Sequence, residues 1–526
     1  MKKTSLLILA FILSSIAFPC TNLIVTKGAS ADGSTYLFYS NDGEWIYHLD
    51  KTPAKNHPLG DSLEFSGRFG AKGKILQVPH TYAVLGFQMN EHQVAVGETT
   101  FVGREELWNK SKYLEYWHLM RLVLERAKTA REAVKVMTVL VEQYGYGSEG
   151  ESFSIADPNE AWILEMVGTG NGGEGAIWVA VKIPDGYISA HANMARIGEF
   201  PLDDPENCLY SDNVISYAVE KGYYDPDSGE PFRFNEAYCP PNPERLKYCE
   251  SRVWSLFNRA APSQNLSPDY CRAVKDAKRY PLYIKPDKKI TLENVIDLVR
   301  DHYEGTDFDM TKGIDAGPFE SPNRWRPLSW ESDSVKYSWE RPISIYNSAF
   351  SYIAQLRSWL PNEIGGVAWF GVDGTYFSCY FPIYCGVTKI SEPFTKGDIR
   401  NFSWESAWWT FNFVSNFSNL KYSYMKEDIQ KIQQKLESKF ISDQDSIVKA
   451  ALKLNKEERI NFITEYSCNQ GNLAHKEWIE LAEFLIMKYN DGYIKDENSK
   501  ITSPGYPEKW KQEMINLYPE KFKIPR

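Results

Sequence analysis

The chain has 526 residues, a formal net charge of −10 at pH 7, and 43% hydrophobic and 14% aromatic content. That acidity argues against nucleic acid or an anionic membrane surface as a partner, and the apolar share is ample for large cores. Length allows several average domains, and fixed-period repeats and low-complexity tracts are absent.

Residues 1–19 read as an export signal. Lys2 and Lys3 supply the positive start, and residues 6–13 form an apolar run too short to span a bilayer. The small-residue rule favours a cut after Ala17, which leaves Phe18-Pro19 as a short pro-segment to be trimmed ahead of Cys20. Lipidation of Cys20 is the competing reading, and Pro19 fits it badly. Loss of Lys2 and Lys3 moves the charge to −12. No later segment approaches ~18 uncharged apolar residues, so the expectation is a soluble, secreted or periplasmic protein without an integral membrane segment.

Residues 21–26 and 35–40 are β-prone and flank Gly28…Asp32-Gly33-Ser34, a strand–turn–strand pattern. Folding about Ala31 would set Cys20 opposite Asp42. Residues 51–73 read as a surface loop, and 81–88 with 93–97 as a second hairpin. Helices are expected over 113–128 and after the capping box Thr129-Ala-Arg-Glu132, with Ala133, Val134, Met137, Leu140 and Val141 on one face. Strands return at 152–156 and 161–166 around Asp157-Pro-Asn-Glu160, then at 177–183 and 187–193 around Pro184-Asp-Gly186. Residues 207–289 are rich in Pro, Tyr and charge, with a short helix at 250–260; another helix is expected at 292–302. A last hairpin is read at 364–372 and 375–381, and helix from 405 to 489. Hairpins with grouped helices predict an α+β sandwich layered helix, sheet, sheet, helix.

Several features carry little chemistry by themselves. With Cys20 set aside, seven cysteines remain, of which Cys239/Cys249 and Cys379/Cys385 are local candidate pairs. No Cys-x-x-Cys or His-Glu-x-x-His motif occurs, so neither a metal nor a cofactor is expected. His80, His92, His118 and His191 are scattered and read as packed or surface side chains. Asp307-Phe-Asp309 reads as a solvated pair. Trp404, Trp408, Trp409 and Phe411 have the spacing of a packed helix face.

An N-terminal cysteine has one special capability. Its own α-amino group, with an ordinary pKa of about 7.7–8.0, is a base near working pH on the nucleophile's own residue. It can take the thiol proton and return it to a leaving group. Read plainly, Cys20 is a half-cystine or a buried small residue. Asp42 would orient the amine, or would merely stabilise a turn before Gly43.

The opening Cys20-Thr-Asn-Leu-Ile-Val, with Gly-Ala-Ser-Ala-Asp-Gly-Ser-Thr at 28–35, resembles that of the N-terminal-nucleophile cysteine dipeptidase family, which includes dipeptidase A and the secernins. Segments 90–100, 124–133, 155–162, 191–200, 309–312 and 365–369 agree in order, so the similarity runs from Cys20 to about Trp408. The resemblance implies an N-terminal-nucleophile hydrolase fold of two stacked antiparallel sheets between helical layers. It also implies metal-free cleavage of dipeptides. Cys20 matches the nucleophile, Asp42 the carboxylate that orients it, and Asn193 an amide that holds the α-amine or the oxyanion. Arg341, before Pro342-Ile-Ser, matches an arginine near the site in the wider amidase superfamily.

The pattern is not complete. Many relatives carry Arg where this chain has Tyr39, so thiol support or substrate carboxylate binding differs here. The superfamily's oxyanion asparagine falls near Glu98-Thr99, leaving Asn90 or a backbone N–H to substitute. Tyr39, Asn90, Glu98 and Thr99 are therefore the candidate substrate-binding residues. The implied organisation is a signal over 1–19, a catalytic unit over 20–403 and a mostly helical region over 404–526. The expected partner is a small peptide, with homo-oligomerisation left open. An amidase for N-acyl amino acids on the same fold and a lipid-anchored binding protein are the alternatives.

Overall fold

The computed structural model describes residues 20–496, 498 and 500–524, so the reading of residues 1–19 lies outside the described residues. Two antiparallel sheets dominate. The first has seven strands, in the order Tyr283–Ile284, Ile188–His191, Cys20–Val25, Thr35–Asp42, Ser348–Leu356, Val367–Val372 and Phe381–Tyr384. The second has eight, running from Cys208–Tyr210 through Ile177–Lys182, Ala161–Val167, Gly150–Ala156 and Ala95–Phe101 to three two-residue strands. Their strands are buried along most of their length, because each sheet is covered on both faces.

The sheets stack through Ala95–Phe101, which packs on Cys20–Val25 and Thr35–Asp42. Gly97 permits this approach: a Cβ there would lie 2.2 Å from Asn22 Oδ1 and 2.9 Å from Tyr39 Cβ. The helix Ala130–Tyr144 covers the outer face of the second sheet. Its start follows the capping pattern, with the Thr129 hydroxyl accepting from Glu132 N–H, although the Glu132 carboxylate accepts from Lys128 N–H rather than from Thr129.

Helices Ala407–Ser418, Tyr422–Ala451 and Lys456–Tyr489 cover the first sheet. Trp478 stacks on Phe411 with ring centres 4.6 Å apart, and Gly471 lets its helix reach Phe381 and Ser391. Arg300 ties this layer to the rest of the chain by gripping both oxygens of Glu437. The result is an α+β arrangement of antiparallel sheets and helices, compatible with the sandwich that the pattern of elements predicted. No helix among the described residues is long and apolar enough to cross a membrane.

Several details differ from the sequence reading. Cys20 pairs with Asn41, not Asp42, because the 26–34 connection closes on Val25 opposite Tyr36. The Pro184-Asp-Gly186 turn does not close a hairpin; it carries the chain from the second sheet to the first. The strand Ser348–Leu356, unread in the sequence, lies in the first sheet between Thr35–Asp42 and Val367–Val372, and Val367–Val372 pairs with Phe381–Tyr384 rather than with 375–381. Neither local cysteine pair is bridged: Cys249 Sγ lies 3.5 Å from Asn193 O, and Cys385 Sγ 2.9 Å from Asn362 O.

Candidate active site

Cys20 begins a central strand and is fully buried between the two sheets. Cross-strand partners share a face and successive residues alternate. The register therefore sends Cys20, Asn22, Tyr39 and Asn41 toward the second sheet, and Thr21, Ser40 and Asp42 to the opposite face. The single-residue difference from the expected register turns the Asp42 carboxylate to the other face of the strand, although Asp42 stays close enough to act on the thiol through its charge and its backbone.

On the thiol side, Cys20 Sγ lies 3.2 Å from Glu98 Oε1, to which it donates. The Tyr39 hydroxyl donates to the same oxygen at 2.5 Å and is itself held by Asn41 Nδ2 at 2.7 Å. Glu98 is flanked by Glu151, which receives the Thr100 hydroxyl at 3.1 Å. Burial raises both carboxyls, and Glu98 raises Glu151 further, so the two share a proton. Burial, reinforced by Glu98 and Asp42, also pushes the Cys20 thiol well above its ordinary value. The resting thiol is protonated and needs a base to take its proton.

On the other face, Asp42 forms a fully buried ion pair with Arg341, whose Nη1 donates to Thr21 Oγ1 at 3.0 Å. Burial works against the Arg341 charge, but Asp42, with Tyr248 and Tyr303, more than offsets it. A second guanidinium, Arg252, comes from the helix Ser251–Ala260, which follows a π-turn over Leu246–Glu250. Its Nη1 reaches Cys20 O at 2.7 Å and Thr21 Oγ1 at 3.0 Å, and its Nη2 reaches Ala192 O and Asn193 Oδ1 at 3.1 and 3.0 Å. Burial and the nearby Arg341 push Arg252 down to about 10.

Asn193 closes the cluster. The backbone nitrogen of Cys20 donates to its Oδ1 at 3.1 Å, and its Nδ2 donates to Thr100 O at 2.8 Å. Its φ of 61° lies in the left-handed region, which Asn tolerates better than most residues. That turn aims the amide back at the start of the Cys20 strand.

Of the residues proposed from the sequence, Cys20, Tyr39, Asp42, Glu98, Asn193 and Arg341 come together. Thr99 lies one residue from Glu98, but its hydroxyl bonds His191 Nδ1 at 2.7 Å. Asn90 is occupied elsewhere: Nδ2 donates to Leu124 O and Ala127 O, closing the end of the helix Tyr116–Arg126, and Oδ1 accepts from His92 and Val94 N–H. Sequence reasoning missed Arg252, Glu151, Asn22 and Thr21. Glu151 and Arg252 left a trace, Glu151 being the single charge of the buried strand Gly150–Ala156 and Arg252 one of two in the helix Ser251–Ala260, where charges are seldom buried unpaired.

A cavity of about 210 Å³ opens beside the cluster, lined by Tyr39, Asn41, Trp45, Phe87, Tyr116 and Phe350 among others. Asn41 is the cross-strand partner of Cys20 and Tyr39 bonds Glu98, so two residues of its wall also belong to the cluster around the thiol. Its walls are mostly aromatic, and Tyr39 and Asn41 bring polar groups to it.

The arrangement can be set beside known proteins. A protein named "Probable dipeptidase" from Salmonella dublin is 28% identical over 398 residues, which cover 72% of this chain and 84% of that protein. "Probable dipeptidase B" of Streptococcus pyogenes serotype M1 is 27% identical over 476 residues, covering 85% and 89%. A "Probable dipeptidase" of Latilactobacillus sakei is 25% identical over 416 residues, covering 73% and 79%. The family model described as Peptidase family C69 matches residues 67–435, a span that holds Glu98, Glu151, Asn193, Arg252 and Arg341 and begins after Cys20 and Asp42. With well over half of its length matched, the chain belongs to peptidase family C69.

Proposed function

We propose that this chain is an exported dipeptidase of the N-terminal-nucleophile hydrolase fold, with Cys20 as both nucleophile and proton carrier. One observation carries the reading: the nitrogen of Cys20 is received by the side-chain amide of Asn193, in the same polar cluster that holds its sulfur. The names borne by the relatives and the stacked antiparallel sheets support it. Residues 20–403 are read as the catalytic unit, with 404–526 packed on it.

Removal of residues 1–19 converts the Cys20 amide into an α-amine. That amine takes the thiol proton, and the sulfur attacks the carbonyl carbon of the scissile bond. The proton then passes to the leaving amine, giving a thioester and a released amino acid. Water attacks the thioester, with the amine again as base, and releases the second amino acid and the thiol. Asn193 orients the α-amine. Arg252, bonded to Cys20 O and Asn193 Oδ1, fixes both partners of that contact. The Asp42–Arg341 pair anchors Thr21 behind the nucleophile.

The test is made on secreted protein whose mature N-terminus has been weighed by intact mass. Cys20→Ala should abolish dipeptide hydrolysis and Cys20→Ser should reduce it by orders of magnitude. An uncleavable residue placed before Cys20 should block turnover with the fold intact. Turnover by Cys20→Ala, or by a chain with a capped cysteine, would refute the reading.

A further inference from the structure

We propose that Glu98, backed by Glu151, receives the α-ammonium of the substrate's first residue, so that the enzyme requires an unblocked N-terminus. The inference rests on the dipeptidase reading and adds to it a recognition element.

The geometry starts from the attacking atom. In a dipeptide the α-nitrogen is bonded to the Cα next to the scissile carbonyl carbon. With sulfur about 3–3.5 Å from that carbon, the α-nitrogen also falls near the sulfur. Glu98 Oε1 is 3.2 Å from Cys20 Sγ, so its carboxyl occupies the space this nitrogen must approach.

The hydrogen-bond inventory points the same way. Tyr39 and Thr100 hydroxyls each satisfy one oxygen of the two carboxyls. Asn22 Oδ1 is a fully buried acceptor that no protein donor reaches, and Glu98 Oε2 and Glu151 Oε1 are met by no donor but the one proton the two carboxyls share. Asn22 lies two residues from Cys20 on the same strand face, and its Nδ2 holds Glu98 O at 2.7 Å. Buried acceptors without donors are costly. An ammonium group supplies three N–H donors and one positive charge. Two carboxyls sharing one proton carry one negative charge, which matches it.

The same contact would help the chemistry. The Glu98 charge opposes thiolate formation beside it, and a bound ammonium cancels that charge when a correct substrate is seated. A substrate lacking the amine would lose both contact and activation.

The experiment compares alanyl-alanine with propionyl-alanine, which replaces the ammonium by hydrogen and leaves the scissile amide unchanged. For the unaltered mature enzyme, kcat/KM should be at least about 100-fold higher for alanyl-alanine, the scale of breaking a buried charge contact. In Glu98→Gln that ratio should collapse to within a few-fold, chiefly through loss of the alanyl-alanine rate. Glu98→Asp should recover part of it. A merely structural Glu98 would lower both rates together and leave the ratio intact, which would overturn the inference. If Glu98→Gln fails to fold, Glu151→Gln is measured against the same two outcomes. Equal hydrolysis of both substrates by the unaltered enzyme would overturn the inference while leaving the dipeptidase reading standing. Hydrolysis of propionyl-alanine alone would overturn both.

Discussion

The backbone nitrogen of Cys20 and the side-chain oxygen of Asn193 lie 3.1 Å apart although 173 positions separate them in the chain. The contact exists because Cys20–Val25 pairs with Ile188–His191 in the first sheet, and the left-handed turn at Asn193 folds its amide back onto the start of the neighbouring strand. Substituting this residue should therefore separate geometry from backbone strain. Asn193→Gly keeps the left-handed conformation at little cost and removes the amide, so kcat/KM on dipeptides should fall about 100-fold with the fold retained. Asn193→Ala should lose the same activity and a further ~1 kcal/mol of stability, read by denaturant unfolding. Full activity in the glycine variant would show that the amide does not orient the amine.

Asp42 and Arg341 are both buried, and removing one charge strands the other. Asp42→Asn should cost about 3–5 kcal/mol, as expected for a buried guanidinium left without its carboxylate. Arg341→Met alone should cost a similar amount. The double variant should lose clearly less than the sum, because no lone charge remains. Additive losses in chemical denaturation would mean that the pair is not coupled.

Asn90 makes the opposite prediction. Its side chain satisfies two carbonyls at the end of the helix Tyr116–Arg126 and two N–H groups of its own turn, at a distance from the thiol set by the packing of that helix. Asn90→Ala leaves these buried groups without partners and should cost about 2–4 kcal/mol. Turnover per folded molecule should stay unchanged, measured as kcat/KM against the concentration of titratable Cys20. A selective loss of kcat/KM would place Asn90 in substrate binding.

How much of this was legible beforehand depends on how local each signal is. The hairpin of Thr21 to Ser40 was readable, since β-prone runs and the Asp32-Gly33 turn are adjacent in sequence. Its register was not, because a one-residue slip conserves every local preference while moving Asp42 to the other face of the strand. Pro184-Asp-Gly186 announced a turn, but turn chemistry says nothing about which sheet the next strand joins. Ser348–Leu356 went unread because its pairing partners, at Thr35–Asp42 and Val367–Val372, supply the environment that makes it a strand. Arg252 reaches Cys20 from 232 positions away, so its role is a product of tertiary packing. The acids Glu98, Glu151 and Glu165 inside buried strands were visible as exceptions to the pattern, and such exceptions mark function more often than stability.

His191 offers a test of the buried polar layer through pH. Its ring bonds the Thr99 and Ser154 hydroxyls, each at 2.7 Å, and burial, with help from the charges of Arg196 and Arg252, pushes it down to about 3. The unfolded chain protonates this histidine near pH ~6.5. Between the two values the unfolded state binds one more proton than the native state, so this group makes stability rise with pH, by up to about 1.4 kcal/mol per pH unit. Glu165 and Asp373, each raised to about 7 by burial, act in the opposite sense as they ionise. The histidine contribution is therefore read as the difference between the unaltered protein and His191→Gln, which keeps hydrogen-bonding capacity without a titrating ring. That difference should climb as pH rises from about 3.5 to 6.5 and level off above it. A difference that does not vary with pH would mean that the native ring titrates as it does in the unfolded chain, so that below pH ~6.5 the layer between the sheets would hold one more positive charge than the geometry described above.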